Sequence, residues 1–239
     1  MKSIICIPGI WKDRSELVLA IASNNSLEYL FAGNILLNIP TGKHFELEVY
    51  ERDEKMANSF KIAGLVNQVS DLFLEEIDKH NTVVYLIAEG GNMESAEALA
   101  RAGHAILKAG GIGIKVETAG KAFMKEQWVN LLNDEFDASS YKMFVLDSIT
   151  TEDGAVFSCG MHNLGLKDTI VSDEPIDQAV SLISIFSYYQ IIDNPTISPN
   201  QTFSQSAGGT RYRIAEEPNP PYKGHELFNN TFGMWRLRQ

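Results

Sequence analysis

Thr82–Ala88 is a continuous apolar, β-branched run, and it leads through Glu89-Gly90-Gly91-Asn92 into a helical pattern from Met93 to Ala109. A run of that length and composition predicts a central strand. Asn92 is placed to cap the helix that follows. Its inward stripe is Met93, Ala96, Leu99 or Ala100, Gly103, Ile106 and Leu107. Gly110-Gly111 ends it, because glycine takes the positive φ that closes a helix. Ile112–Glu117 is the next strand.

The flanking segments supply further strands and helices. Ser3–Ile7, bounded by Pro8-Gly9, predicts a buried strand. Asp13 caps a helix through Ser23 that carries Leu17 and Ile21. Tyr29–Leu37 is expected as one strand bent at Gly33. Phe45, Leu47 and Val49 alternate with Glu46, Glu48 and Tyr50, the pattern of a half-buried strand. Lys55–Val69 has helical spacing, and Phe123–Asn133 is a short helix. Lys142–Ile149 and Ala155–Cys159 are expected as strands joined by the turn Thr151-Glu152-Asp153-Gly154. Pro175–Ile192 is a helix, Ile191–Gly209 mostly loop, and Arg211–Ala215 a late strand. The aromatic tail with Phe228, Phe232, Met234 and Trp235 is expected to dock.

This order predicts an α+β fold. The first run, β-α-β-β-α-β, has the order of a ferredoxin-like unit. Two such halves, 1–80 and 81–239, would share or pack mixed antiparallel sheets, with one compact domain as the alternative.

Charge and cysteine content narrow the function classes. The 239 residues carry 20 Lys and Arg against 31 Asp and Glu, a net charge of −11. That balance argues against a nucleic-acid binder, which needs cations to displace counterions from phosphates. The acidity is spread along the chain, with no block of like charges, so it speaks first for a solvated surface. Only two cysteines, Cys6 and Cys159, exclude a disulfide scaffold. The apolar start is too short for a signal peptide, and no stretch reaches the ~18 apolar residues of a membrane span. A cytoplasmic protein with reduced thiols is the expectation.

The stretch Thr82-Val83-Val84-Tyr85-Leu86-Ile87, then Glu94–Lys108, Gly110-Gly111-Ile112-Gly113-Ile114-Lys115-Val116, Phe123 and Gln127-Trp128, resembles a bacterial family, the domain of unknown function numbered 4261. The resemblance covers about residues 80–133. It implies a strand, an alanine-rich helix, a glycine-bearing strand and a short helix in that order. It implies no activity and no site residues.

Three groups of residues are candidates for function. Cys159, His162 and Asn163, in Ser158-Cys159-Gly160-Met161-His162-Asn163-Leu164-Gly165, are the residue types of a thiol nucleophile, its base and its orienter. As zinc ligands Cys159 and His162 make half a site, so no metal and no cofactor are expected. Glu89, Gly90 and Gly91 stand where a phosphate-binding turn would, between strand and helix, but no Lys follows and Glu89 and Glu94 would repel an anion. Leu182, Ile185, Tyr189 and Ile192 form a second apolar stripe on the 175–192 helix, which suggests an interface with a protein partner or a second copy. Glu46 and Glu48 read as the solvent side of a strand.

The expectation for function is a non-catalytic protein-interaction or binding protein. The alternatives are a small-ligand binder between two α+β halves and a hydrolase or transferase using the Cys159–His162 loop.

Overall fold

In the computed structural model, residues 1–25 and 27–239 are described. β1 (Lys2–Gly9) turns Ile5 and Ile7 to one face and Cys6 to the other, as the two-residue period of a strand requires. α1 (Arg14–Asn24) starts at Asp13, whose carboxylate accepts from the Glu16 amide at 3.0 Å. The expected single strand over Tyr29–Leu37 is instead two, β2 (Tyr29–Ala32) and β3 (Ile35–Asn38). Gly33-Asn34 is a two-residue hairpin turn between them, with Gly33 at φ +54°.

β4 (His44–Glu51) buries Phe45 and Leu47. α2 (Met56–Ala63) is shorter than the helix expected to Val69. The chain folds back after Gly64, where a Cβ would lie 2.4 Å from Val69. α3 (Asp71–Asp78) follows, capped by Ser70. β5 (Thr82–Glu89) is central, paired with both β1 and β4. α4 (Met93–Lys108) begins where Asn92 accepts from the Ser95 amide at 2.8 Å.

β6 (Gly113–Val116) and β7 (Lys121–Met124) complete the first sheet, whose order is β2-β3-β4-β5-β1-β6-β7. Every neighbouring pair in it is antiparallel. The boundary expected at residue 80 passes through this sheet, because β5 lies beyond it and pairs with β1.

α5 (Lys125–Asn133) and α6 (Phe136–Phe144) come next. α6 occupies part of the segment expected as a strand over Lys142–Ile149; only β8 (Leu146–Thr150) is extended there. β9 (Val156–Cys159), β10 (Asp168–Val171), α7 (Ile176–Tyr188), β11 (Thr202–Phe203), β12 (Tyr212–Glu216) and β13 (Met234–Arg238) follow. The second sheet runs β11-β12-β13-β10-β9-β8, and its β10–β13 pair is parallel. The fold is therefore α+β, with one antiparallel and one mixed sheet. The aromatic tail docks as β13, with Met234 and Trp235 buried.

The two faces of the first sheet are covered unequally. One packs against α1 and α4, and beyond α4 lie α5 and α6, with Trp128 fully buried between Phe123 and Phe144. Burying side chains of this kind stabilises a fold by about 1.5–3 kcal/mol each. The other face is covered by α2 and α3 only where Met56, Phe60, Phe73 and Ile77 meet Cys6, Val83 and Ala122. Among the described residues no helix is long and apolar enough to cross a membrane.

Candidate functional site

Cys159, His162 and Asn163 are brought close together, but inside the protein. The segment turns through a 3-10 helix, Met161–Leu164, held between Gly160 at φ +115° and Gly165 at φ +80°. A Cβ on Gly160 would lie 2.0 Å from the Phe144 carbonyl oxygen, so only glycine fits there. Cys159 is buried and its thiol donates to the Leu227 carbonyl at 3.0 Å. Burial and then the charge of Asp168 push that thiol well above its ordinary range. Burial pulls His162 down to about 4, and its Nδ1 has no hydrogen-bond partner among the described residues. A nucleophile needs its thiolate and access to substrate, and this site opposes both. Asn163 accepts from the Thr118 hydroxyl at 2.8 Å and donates to the Gly160 carbonyl at 2.9 Å.

The sequence gives no sign of Asp168 as part of this cluster. Asp168 is buried; it accepts from Asn230 Nδ2 at 2.7 Å, the Met161 amide at 3.2 Å and the Ser158 hydroxyl at 3.3 Å. Burial raises it to about 7 despite those donors. Its role is to tie β9, β10 and the tail together.

The Glu89-Gly90-Gly91 turn does not offer its amides to an anion. Gly90 donates to the Met1 carbonyl at 2.8 Å and Gly91 to the Asn163 carbonyl at 3.3 Å. Phe232 lies over Gly91, 3.1 Å from where a Cβ would stand. A phosphate loop needs such amides free and convergent, so the turn is a joint between the two sheets. Among the described residues no group of three or more His, Cys, Asp or Glu is placed to hold a metal ion.

The proposed interface stripe divides. Leu182 is buried in the second core, against the sheet through α7, and Tyr189 packs on Phe186 and Phe203. Ile185 and Ile192 remain exposed. The helix is apolar on two sides because the second sheet covers one and Tyr141 of α6 meets Tyr188 on another.

The most prominent surface feature is the uncovered half of the first sheet. There a groove of about 700 Å³ is floored by Ile4, Tyr50, Tyr85 and Ile87. β1, β5 and β4 deliver these side chains to one face through the register Ile4↔Ile87 and Glu48↔Tyr85. Tyr50 and Tyr85 meet edge to face, with centroids 5.6 Å apart. Glu48, Glu51, Asp53 and Glu117 line the same groove, with Arg52 the one cation among its described lining residues. Tyr50 donates to Glu48 at 2.9 Å, and that bond and charge raise the phenol above its usual range.

The cations nearby are engaged: Lys115 with Glu117 at 2.8 Å, Lys2 with Glu46 at 3.1 Å and Arg52 with Asp78 at 3.2 Å. None of the ion pairs among the described residues includes Glu48, Glu51 or Asp53. Further along the same face Leu30 and Ile35 are exposed. The sequence pattern marks Glu46 and Glu48 as outward-facing, but not the aromatic floor beside them.

No protein-family model, no curated protein and no solved structure matches the chain.

Proposed function

We propose that the chain is a non-catalytic binding protein whose half-covered sheet face docks a basic, apolar-bearing segment of a protein partner. The observation that carries this reading is the groove over Tyr50 and Tyr85, where an apolar and aromatic floor stands among carboxylates of which Glu48, Glu51 and Asp53 form no ion pair among the described residues. Exposed apolar floors with polar rims are where proteins associate. The negative rim selects the partner's sign and speeds its approach. A cytoplasmic setting belongs to the same reading, and two buried free thiols suit it. The acidity that disfavours nucleic acid favours a basic protein segment.

The test is binding of a labelled alternating Lys-Leu peptide, with a Glu-Leu peptide as the control. The paired substitution Glu48→Lys and Glu51→Lys is expected to weaken Lys-Leu binding by about tenfold or more, the effect of about 1.4 kcal/mol. Glu75→Lys with Glu76→Lys, on α3, makes the same change in net charge away from the groove. If both pairs weaken binding equally, the attraction belongs to the net charge and the reading fails.

A further inference from the structure

A second cavity, of about 470 Å³, lies where β7, α5 and α6 meet β8 and α7. Lys121, in β7, is only 5% exposed. Its Nζ donates to the Lys142 carbonyl at 2.5 Å and the Val145 carbonyl at 2.7 Å, which satisfies the end of α6. An ammonium carries three donors, so one has no acceptor among the described residues.

In the same cavity, Asp147 Oδ2 accepts from the Tyr141 hydroxyl at 2.5 Å, and no hydrogen bond among the described residues reaches its other oxygen. Asp147 forms none of the ion pairs there either, so it and Lys121 line the cavity beyond ion-pair distance, with the exposed Lys142 also in its lining. Lys121 is buried whereas Asp147 is partly exposed, and a buried ammonium is costly unless acceptors or an anion complete it. The Tyr141 and Tyr188 rings, with centroids 4.7 Å apart, form an aromatic wall next to Asp147, and Phe123, Leu131 and Val145 supply apolar lining.

We propose that this cleft binds a small zwitterion of the amino-acid type, its carboxylate toward Lys121 and its ammonium toward Asp147 and the tyrosine pair. A carboxylate takes the remaining Lys121 donor through a charge-assisted hydrogen bond. An ammonium is held both by the Asp147 carboxylate and by the negative faces of the rings. The volume is that of a small-molecule pocket. Burial lowers the Lys121 ammonium to about 8, and the charge of Asp147 opposes that shift.

The proposal is independent of the groove on the first sheet, and its test is separate. Melting of the intact protein is followed with glycine, serine, leucine, phenylalanine, glutamate and lysine, each at ~10 mM, because a ligand of the native state raises the transition. Acetate and methylamine serve as half-ligands. At least one amino acid is expected to raise the melting temperature while acetate and methylamine do not. Asp147→Asn, which retains an acceptor for Tyr141, and Tyr188→Leu are expected to remove the response with the circular dichroism spectrum unchanged. Glu48→Lys is expected to leave it intact. The proposal is overturned if no amino acid raises the transition, if acetate or methylamine does so equally, or if the response survives Asp147→Asn.

Discussion

The Gly91 amide donates to the Asn163 carbonyl at 3.3 Å, so the two loops that carry the chain's most suggestive residues close against each other. A Cβ on Gly165 would stand 2.3 Å from the Gly91 carbonyl oxygen. The contact is backbone on backbone, with no side chain to yield. It joins the first sheet, through the turn after β5, to the second, through the turn after β9.

Gly165→Ala is therefore expected to be severe. Gly154 is the natural comparison, since it too has positive φ, +85°, but apart from its chain neighbours none of the described residues lies within 4 Å of its would-be Cβ. Gly154→Ala is expected to cost about 1–2 kcal/mol for the left-handed backbone alone. Gly165→Ala adds the clash and is expected to cost more, roughly 3 kcal/mol or above. Urea unfolding of the two variants measures the difference.

Both thiols are expected to be protected. Cys6 and Cys159 are buried and free, and burial is the largest influence raising each. Iodoacetamide followed by mass spectrometry is expected to label neither in the folded protein and both in urea, because reaction requires opening. Rapid native labelling of Cys159 would restore the thiol-nucleophile reading.

Asp168 and His162 are expected to cancel each other's effect on stability between pH 4 and 6.5. Asp168 rises from 3.8 to about 7 on folding, so its share of stability is complete below 3.8 and lost as pH climbs to 7. His162 falls from 6.5 to about 4, so its share is complete above 6.5 and lost as pH drops to 4. Within the shared window the folded chain holds the aspartate's proton and the unfolded chain the histidine's. Asp168→Asn is expected to make stability rise with pH relative to the parent, by about 1.4 kcal/mol per unit, and His162→Gln to make it fall by a similar amount. Denaturant curves at pH 4.5, 5.5 and 6.5 test this; parallel slopes in all three proteins would contradict it.

Leu182 and Ile192 are expected to separate the two readings of α7. Leu182→Ala removes a buried side chain from the second core and is expected to cost about 2–5 kcal/mol. Ile192 is 53% exposed, and Ile192→Ser is expected to change stability by under about 0.5 kcal/mol. Light scattering of the Ile192→Ser variant shows whether that exposed residue matters to assembly.

Elements with one strong local signal were legible in the sequence. Asn92 caps α4, the 151–154 turn joins β8 to β9, and the alternation in 45–50 describes β4. Where local signals conflict, tertiary context decides. Met143-Phe144-Val145-Leu146 is apolar throughout, so no period distinguishes the end of α6 from the start of β8. β7 is masked by Lys121, a charged residue that is buried because it caps α6. Cys159, His162 and Asn163 do lie together, but whether such a cluster faces water depends on what packs over it. The groove is invisible for a related reason: Ile4, Glu48, Tyr85 and Glu117 come from four separate stretches of chain. Their partial exposure follows from α2 and α3 being too short to cover the whole sheet.

Docking of a basic partner on the open face of the first sheet is the proposal to be tested. Its most direct measurement is the chemical-shift map of the labelled protein as the Lys-Leu peptide is added. Shifts are expected to concentrate on Ile4, Tyr50, Tyr85, Ile87 and Glu117, and to fade as salt screens the rim. Shifts scattered over acidic residues of every surface, or centred on α3, would contradict the account.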